Sequence, residues 1–331
     1  MAERTAERTV QTEQKSKFFA IHLDCIRVDS VLDFDLYIRV NNQLVLYRSA
    51  DLPFTERTRQ KLLENQVSRL FITNAKRGAY QQYIEKNLDK VLADPEIDET
   101  TKAGILYETS TELVKDVFDN PTYGDNIQRS KDLVSTTINY ILGGRGAFHN
   151  LLKITSYDYY TYTHSVNVAT FSIALAQQVG IRDEQFLHDL GIGALLHDVG
   201  KARIPPQILN KRSSLSPHEF EIMKQHPQWG IEILSETDEL AATSYYPVLQ
   251  HHERGDRGGY PNNLRLAEMH DGARIVAVCD TFDAMTTDRV YQKAMDTYGV
   301  LKIMMSLDGA YDAKLLRAFV ELMGPSGLGH L

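Results

Sequence analysis

Cysteine is nearly absent: Cys25 and Cys279 are the only two in 331 residues. No disulfide framework can be built from them, so a reducing, cytosolic setting is expected. An excess of positive charge is missing as well, since 36 Lys and Arg stand against 44 Asp and Glu, a formal net charge of −8. That excludes the broad basic face with which proteins hold nucleic-acid polymers or anionic membranes. A local cluster of cations for a small anionic ligand stays open. Long hydrophobic runs are lacking too: no stretch reaches the roughly 18 uncharged apolar residues of a membrane span. The opening "MAERTAERTVQTEQKSK" has no apolar core of the secretory kind, and residues 1–16 are expected to form a disordered tail. Internal repeats, low-complexity segments and an N-terminal aspartyl-phosphate receiver pattern are likewise not found.

What is there is an ordinary globular composition, 43% apolar and 24% charged, long enough for two domains. Residues 17–98 read as a small α+β regulatory domain. "FFAIHLDCIRV" suggests a strand, and "DLYIRVNNQLVLYRS" a hairpin turning at Asn41 and Asn42. A helix capped by Thr55, the short strand "SRLFIT" and an amphipathic helix follow. Residues 99–145 read as two connecting helices, the second ended by Gly143 and Gly144. From 146 to 331 the pattern is helical. His164, Val168, Phe171 and Leu175 share one stripe, and Gly191, Gly193 and Ala194 permit close helix packing. Ser216, Pro217 and Glu219 form a capping box, and Pro227 predicts a helix end near His226. The fold class expected is therefore a mainly α-helical bundle with a smaller N-terminal α+β domain.

The chemistry concentrates in that helical part. Of eleven histidines, His22, His149, His188, His218, His270 and His330 lack partners at ligand-like spacing and read as structural or surface residues. His164, His197, Asp198, His226, His251, His252 and Asp280 differ. Each falls at the end or inner face of a predicted helix, several inside apolar runs where an unsatisfied polar group is expensive. Five imidazoles and two carboxylates oversupply one transition-metal ion and suit two, with Asp198 as the natural bridge.

The blocks "HDVGK" (197–201), "KQHP" (224–227), "HHERGDRGGYP" (251–261) and "CDTFDAMTTDRVY" (279–291) resemble the HD-GYP branch of the HD-domain phosphohydrolases. "IPPQILNK" and "THSVNVA" agree in order and spacing, so the resemblance covers about residues 150–320. It implies an HD-type helical bundle and hydrolysis of cyclic di-GMP to pGpG, in some members onward to GMP. It implies a first metal held by His164, His197, Asp198 and Asp280, and a second by Asp198, His226, His251 and His252. The family lysine falls on Lys201, the GYP tyrosine on Tyr260 and a phosphate-contacting arginine on Arg289. Asp198 and Lys201 would be catalytic, and Lys201, Tyr260 and Arg289 would bind substrate. By resemblance, a diguanylate cyclase domain or other signalling protein is a partner, and a homodimer is admitted.

Such chemistry needs these parts. Two divalent transition-metal ions, with iron or manganese favoured and others open, can hold a bridging hydroxide with a pKa near about 7 and neutralise the phosphoryl charge. Lys201 can reach a non-bridging oxygen or the leaving group, and the planar fork of Arg289 can grip a second phosphate. Two departures stand out. Arg257 occupies a position usually held by glycine, removing a residue suited to positive φ. Tyr160 stands where a third-metal acid occurs in some members, so two metals are expected. Two alternatives remain: a cyclic di-GMP receptor without turnover, and a phosphohydrolase for another cyclic dinucleotide.

Overall fold

The computed structural model describes residues 17–121, 125–144, 146–155, 161–287 and 293–327. The 1–16 tail, Tyr160, Arg289 and His330 lie outside the described residues. The chain divides between Thr109 and Ser110 into two compact units.

In the first unit, β1 (Phe18–His22), β3 (Leu36–Val40), β4 (Gln43–Arg48) and β6 (Arg69–Thr73) form an antiparallel sheet in the order β1-β6-β3-β4. A small pair, β2 (Ser30–Val31) with β5 (Pro53–Phe54), stands apart from it. Asn41 and Asn42 turn the β3–β4 hairpin at φ 47° and 68°. Both values are positive, as the two-residue turns that match strand twist require, and asparagine tolerates that region. Helix α1 (Glu56–Glu64) starts where expected, the Thr55 hydroxyl accepting from the Thr58 amide at 3.3 Å. Helix α2 (Arg77–Leu92) completes the unit. The first strand is shorter than its sequence suggests. Leu23, Cys25 and Ile26 are all buried. That spacing breaks the two-residue alternation of a strand, and the chain coils into a 3₁₀ turn at Leu23–Cys25. The core here is aliphatic with two phenylalanines, Phe34 and Phe54.

Helix α3 (Glu99–Asp119) has residues on both sides of the division, and the rest of the second unit is helical. Its described elements begin with α4 (Asn126–Gly143), α5 (Ala147–Ile154), α6 (Thr161–Gln178) and α7 (Glu184–Leu196). After a 3₁₀ segment at Val199–Arg203 come α8 (Pro206–Leu209), α9 (Pro217–Met223), α10 (His226–Ser235) and α11 (Tyr245–Gln250). The last are α12 (Asp271–Thr286), α13 (Thr297–Ser306) and α14 (Ala313–Gly327). Helix α6 packs against both α7 and α12, and its stripe His164, Val168, Phe171 and Leu175 is buried as its spacing predicts.

Small residues set the helix approaches that position the site. A Cβ on Gly191 would strike Val134 of α4 at 2.6 Å, and one on Gly193 would meet Pro247 of α11 at 2.8 Å. At Gly200 a Cβ would collide with the His226 carbonyl, so glycine there lets the end of the HD block touch the start of α10. The capping box at Ser216 forms as its sequence predicts. The helix end expected near His226 is different. α9 stops at Met223, and His226 opens a new helix with Pro227 in its first turn. Proline lacks the amide that a first turn leaves unbonded anyway, so it starts this helix rather than ending the last one.

Candidate metal centre

The candidate donors sit at helix ends and on one inner face. His164 lies on α6, and His197 and Asp198 follow the last turn of α7. His226 begins α10, His251 and His252 follow α11, and Asp280 lies inside α12. All seven converge. One group is Asp198, His226, His251 and His252, and the other His164, His197 and Asp280; within each, the donor atoms lie inside 4.8 Å of one another. Asp198 faces both, its Oδ1 3.3 Å from His226 Nε2 and its Oδ2 3.4 Å from His197 Nε2. Asp280 Oδ1 lies 3.0 Å from His164 Nε2. All but His252 are fully buried, and its ring is 27% exposed.

The hydrogen bonds behind these rings decide what the centre can hold. His197 Nδ1 donates to the Ala194 carbonyl at 2.7 Å, and His226 Nδ1 to the Met223 carbonyl at 2.8 Å. His251 Nδ1 does the same to Val248 at 2.9 Å. A carbonyl only accepts, so each Nδ1 carries a proton and it is the Nε2 of each ring that points inward. Burial pushes the His226 pKa down to about 3, against the opposing pull of Asp198, so the ring is neutral. Burial likewise holds His251 well below the usual imidazole range. His252 is lowered to about 4 by the same cause, which solvent at its exposed edge softens. Burial works against the charged carboxylate of Asp198, but Lys201 and then His197 outweigh it and hold the group ionised. Asp280 is held down by His164 and His252 against the same burial cost.

The result is a cavity of acceptors facing acceptors. His226 Nε2 and His251 Nε2 lie 3.1 Å apart with no proton between them, and among the described residues Asp198 Oδ1 and His197 Nε2 have no hydrogen-bond partner. Buried groups left so would cost several kcal/mol. Cations relieve all of them at once, and neutral imidazole with carboxylate suits divalent transition metals. The donor set therefore fits the metal that the sequence calls for.

Around it stands a supporting layer that sequence reasoning missed. Asp283 accepts from His164 Nδ1 at 2.7 Å and from Asn167 Nδ2 at 2.8 Å, all three side chains buried. The signal was readable: Asp283 is three residues after Asp280 and Asn167 three after His164, the spacing of one helix face. A carboxylate behind a ligating imidazole fixes its tautomer and raises its basicity. Asp283→Ala is expected to weaken metal binding about 10- to 100-fold while the rest of the donor set stays assembled. Manganese titration of the metal-free protein tests this, and equal affinity in variant and parent would refute it.

The GYP loop is held by Glu253, also missed. Its buried carboxylate accepts from the amides of Asn262 at 2.5 Å and Leu264 at 2.9 Å. Tyr260 is thereby set against His252, ring centroids 4.7 Å apart, and burial followed by Asp280 pushes its hydroxyl pKa up, leaving a neutral phenol. Lys201 contacts Asp198 directly. A cavity of about 440 Å³ opens beside the centre, bordered by His251, His252, Tyr260, Phe220, Lys224, Arg254 and Tyr311. Sequence reasoning gave none of the last four a role, although Lys224 opens the KQHP block and Arg254 lies within the HHERGDRGGYP block.

Arg257 does not reshape the loop in the way its substitution suggests. It adopts φ 65° itself, keeping the left-handed turn that glycine makes without strain. A side chain in that region costs roughly 1–2 kcal/mol. Arg257→Gly is accordingly expected to stabilise the protein by about 1 kcal/mol. Denaturant unfolding measures it, and no gain would mean that the side chain makes compensating contacts.

A helical unit that gathers buried imidazoles and carboxylates from five helix ends and faces defines a metal-binding domain of the HD class. The HD domain family profile matches residues 149–315. The chain belongs to that family, in its HD-GYP branch. It is 34% identical over 236 residues to the cyclic di-GMP phosphodiesterase PA4108 of Pseudomonas aeruginosa, covering 71% of this chain and 57% of that protein. It is 32% identical over 170 residues to a 3′3′-cGAMP-specific phosphodiesterase of Vibrio cholerae, covering 49% of this chain and 31% of that one. The chain thus spans less than two thirds of either relative. The structure is similar to that of Bd1817, an HDG"Y"P protein from Bdellovibrio bacteriovorus, with a TM-score of 0.65 and 25% identity over 92% of this chain and 99% of that one. No described helix is long and apolar enough to cross a membrane.

Proposed function

We propose that this protein is a metal-dependent phosphodiesterase that opens cyclic di-GMP to pGpG, with GMP as the further product if the linear intermediate is cut again. The observation that carries the reading is the set of inward-facing acceptors in two neighbouring groups, with Asp198 of the first also 3.4 Å from His197 of the second. We assign His164, His197, Asp198 and Asp280 to one divalent cation and Asp198, His226, His251 and His252 to a second, iron or manganese by preference. Bound there, the cations would supply Lewis acidity to a phosphodiester and lower the pKa of an attacking water.

The chain's own residues do the rest. His226, His251 and His252, kept neutral by burial, leave their lone pairs free for the cations without first losing protons. Lys201 offsets the charge of Asp198 and stands where it can meet a phosphoryl oxygen or the departing ribose oxygen. Tyr260, kept as a neutral phenol, can donate to substrate. Arg289 is assigned to a second phosphate by resemblance. A signalling partner such as a diguanylate cyclase domain, or a second copy of the chain, belongs to the same proposal, as does a cytosolic setting.

The test is anaerobic purification with metal analysis, followed by turnover of cyclic di-GMP. Formation of pGpG supports the enzyme. Tight binding without product, under iron and under manganese, would make the protein a receptor. Similarity to a cGAMP-specific relative favours one second reading, and faster turnover of 3′3′-cGAMP than of cyclic di-GMP would establish it.

A further inference from the structure

The rim of the cavity beside the metal centre holds an aromatic ring that packing alone does not account for. Phe220 on α9 is 45% exposed, although a phenylalanine gains most from burial. Single exposed apolar residues are ordinary on a protein surface, but this one borders the cavity that His251 and His252 also line. Its ring meets Tyr260 nearly at right angles, 81°, with centroids 6.3 Å apart. Tyr260 in turn packs on His252, so an aromatic path leads from the donor set outward. The Lys224 ammonium lies 5.4 Å from the Phe220 centroid, its partner being the exposed Glu221 one turn away. A chain of net charge −8 thus presents a cation and a half-exposed aromatic face at one mouth. That combination receives a nucleotide: a flat base on the ring, an anionic phosphate near the ammonium.

We propose that Phe220 is a specificity-determining residue of this site, its ring serving as the stacking platform for one purine base of a cyclic dinucleotide, with Tyr260 closing the slot edge-on. The inference rests on the phosphodiesterase reading above and adds to it the residue that distinguishes purine from pyrimidine. A cavity of about 440 Å³ lies in the range of small-molecule sites and needs one flat apolar wall to orient a base. Larger rings stack more strongly, so the platform favours a purine without any hydrogen bond to the base edge.

The experiment compares steady-state kinetics of the metal-loaded parent, Phe220→Ala and Phe220→Tyr on cyclic di-GMP and on cyclic di-UMP, with metal content measured in parallel. Phe220→Ala is expected to raise KM for cyclic di-GMP between about 5- and 100-fold, leaving kcat and metal content unchanged. The preference over cyclic di-UMP narrows, and Phe220→Tyr restores both. An unchanged KM overturns the proposal, as does a fall in kcat or metal content at constant KM, which would make Phe220 a structural residue. A loaded parent that neither binds nor hydrolyses cyclic di-GMP overturns the underlying reading instead, before any variant is compared.

Discussion

Asp198→Ala abolishes metal retention and turnover together. The carboxylate faces both donor clusters, one oxygen toward His226 and the other toward His197, so its loss weakens both at once. Removing a single preorganised electrostatic group from an active site already costs about 100- to 1,000-fold in rate, and turnover here is expected to fall by more than that. The metal-free protein also suffers. Lys201, in contact with Asp198, is left without that carboxylate in a largely buried place, and breaking a buried ion pair costs about 3–5 kcal/mol. Metal analysis, cyclic di-GMP turnover and denaturant unfolding of the metal-free form read the three effects separately. Full metal content in the variant would sink the assignment of Asp198 as the shared ligand.

The metal-free protein is expected to lose stability steeply as the pH drops below about 6.5. His226 is neutral in the fold, its pKa lowered to about 3 by burial, while in the unfolded chain it returns to about 6.5. Between those values the unfolded state binds the extra proton, so stability falls with falling pH by roughly 1.4 kcal/mol per unit. At pH 5 this one residue costs about 2 kcal/mol relative to neutral pH. His251 and His252, lowered from the same cause, add in the same direction. Asp198 and Asp280, held ionised with lowered pKa values, lose their contribution lower still, as the pH falls below the ordinary carboxylate range. Denaturant unfolding at a series of pH values, with the chelated parent beside His226→Gln, measures the slope. If both proteins decline in parallel from pH 7 to 5, His226 is not the neutral buried ring described here.

The candidate metal donors were legible because they break rules that the surrounding residues keep. His197, Asp198 and Asp280 interrupt apolar helical runs, and a buried polar group inside such a run demands a partner. The supporting residues break nothing. Asp283 was overlooked because one carboxylate had already been read in its helix, although its three-residue offset from Asp280 places it on the same face. Glu253 was passed over as part of a motif, and its grip on the Asn262 and Leu264 amides depends on a loop path that no periodicity encodes. Phe220 and Tyr311 reach the cavity only through the packing of α9 and of the chain between α13 and α14. Pro227 shows the converse error: a local rule was applied correctly in sign but to the wrong side of a helix boundary.

By itself, then, the order of residues determined the helical class of the second unit, the hairpin at Asn41–Asn42, the caps at Thr55 and Ser216, and the choice of seven candidate donor side chains. These depend on interactions within a few residues, or on the expense of hiding charge, and both are written locally. Only the tertiary structure decided which donors share a cluster and which nitrogen of each ring faces inward. It alone settled that Arg257 would keep a left-handed turn and that a cavity would open beside the centre. Those outcomes depend on distances between segments far apart in the chain, set by how closely glycines let helices approach, and no short window of sequence contains them.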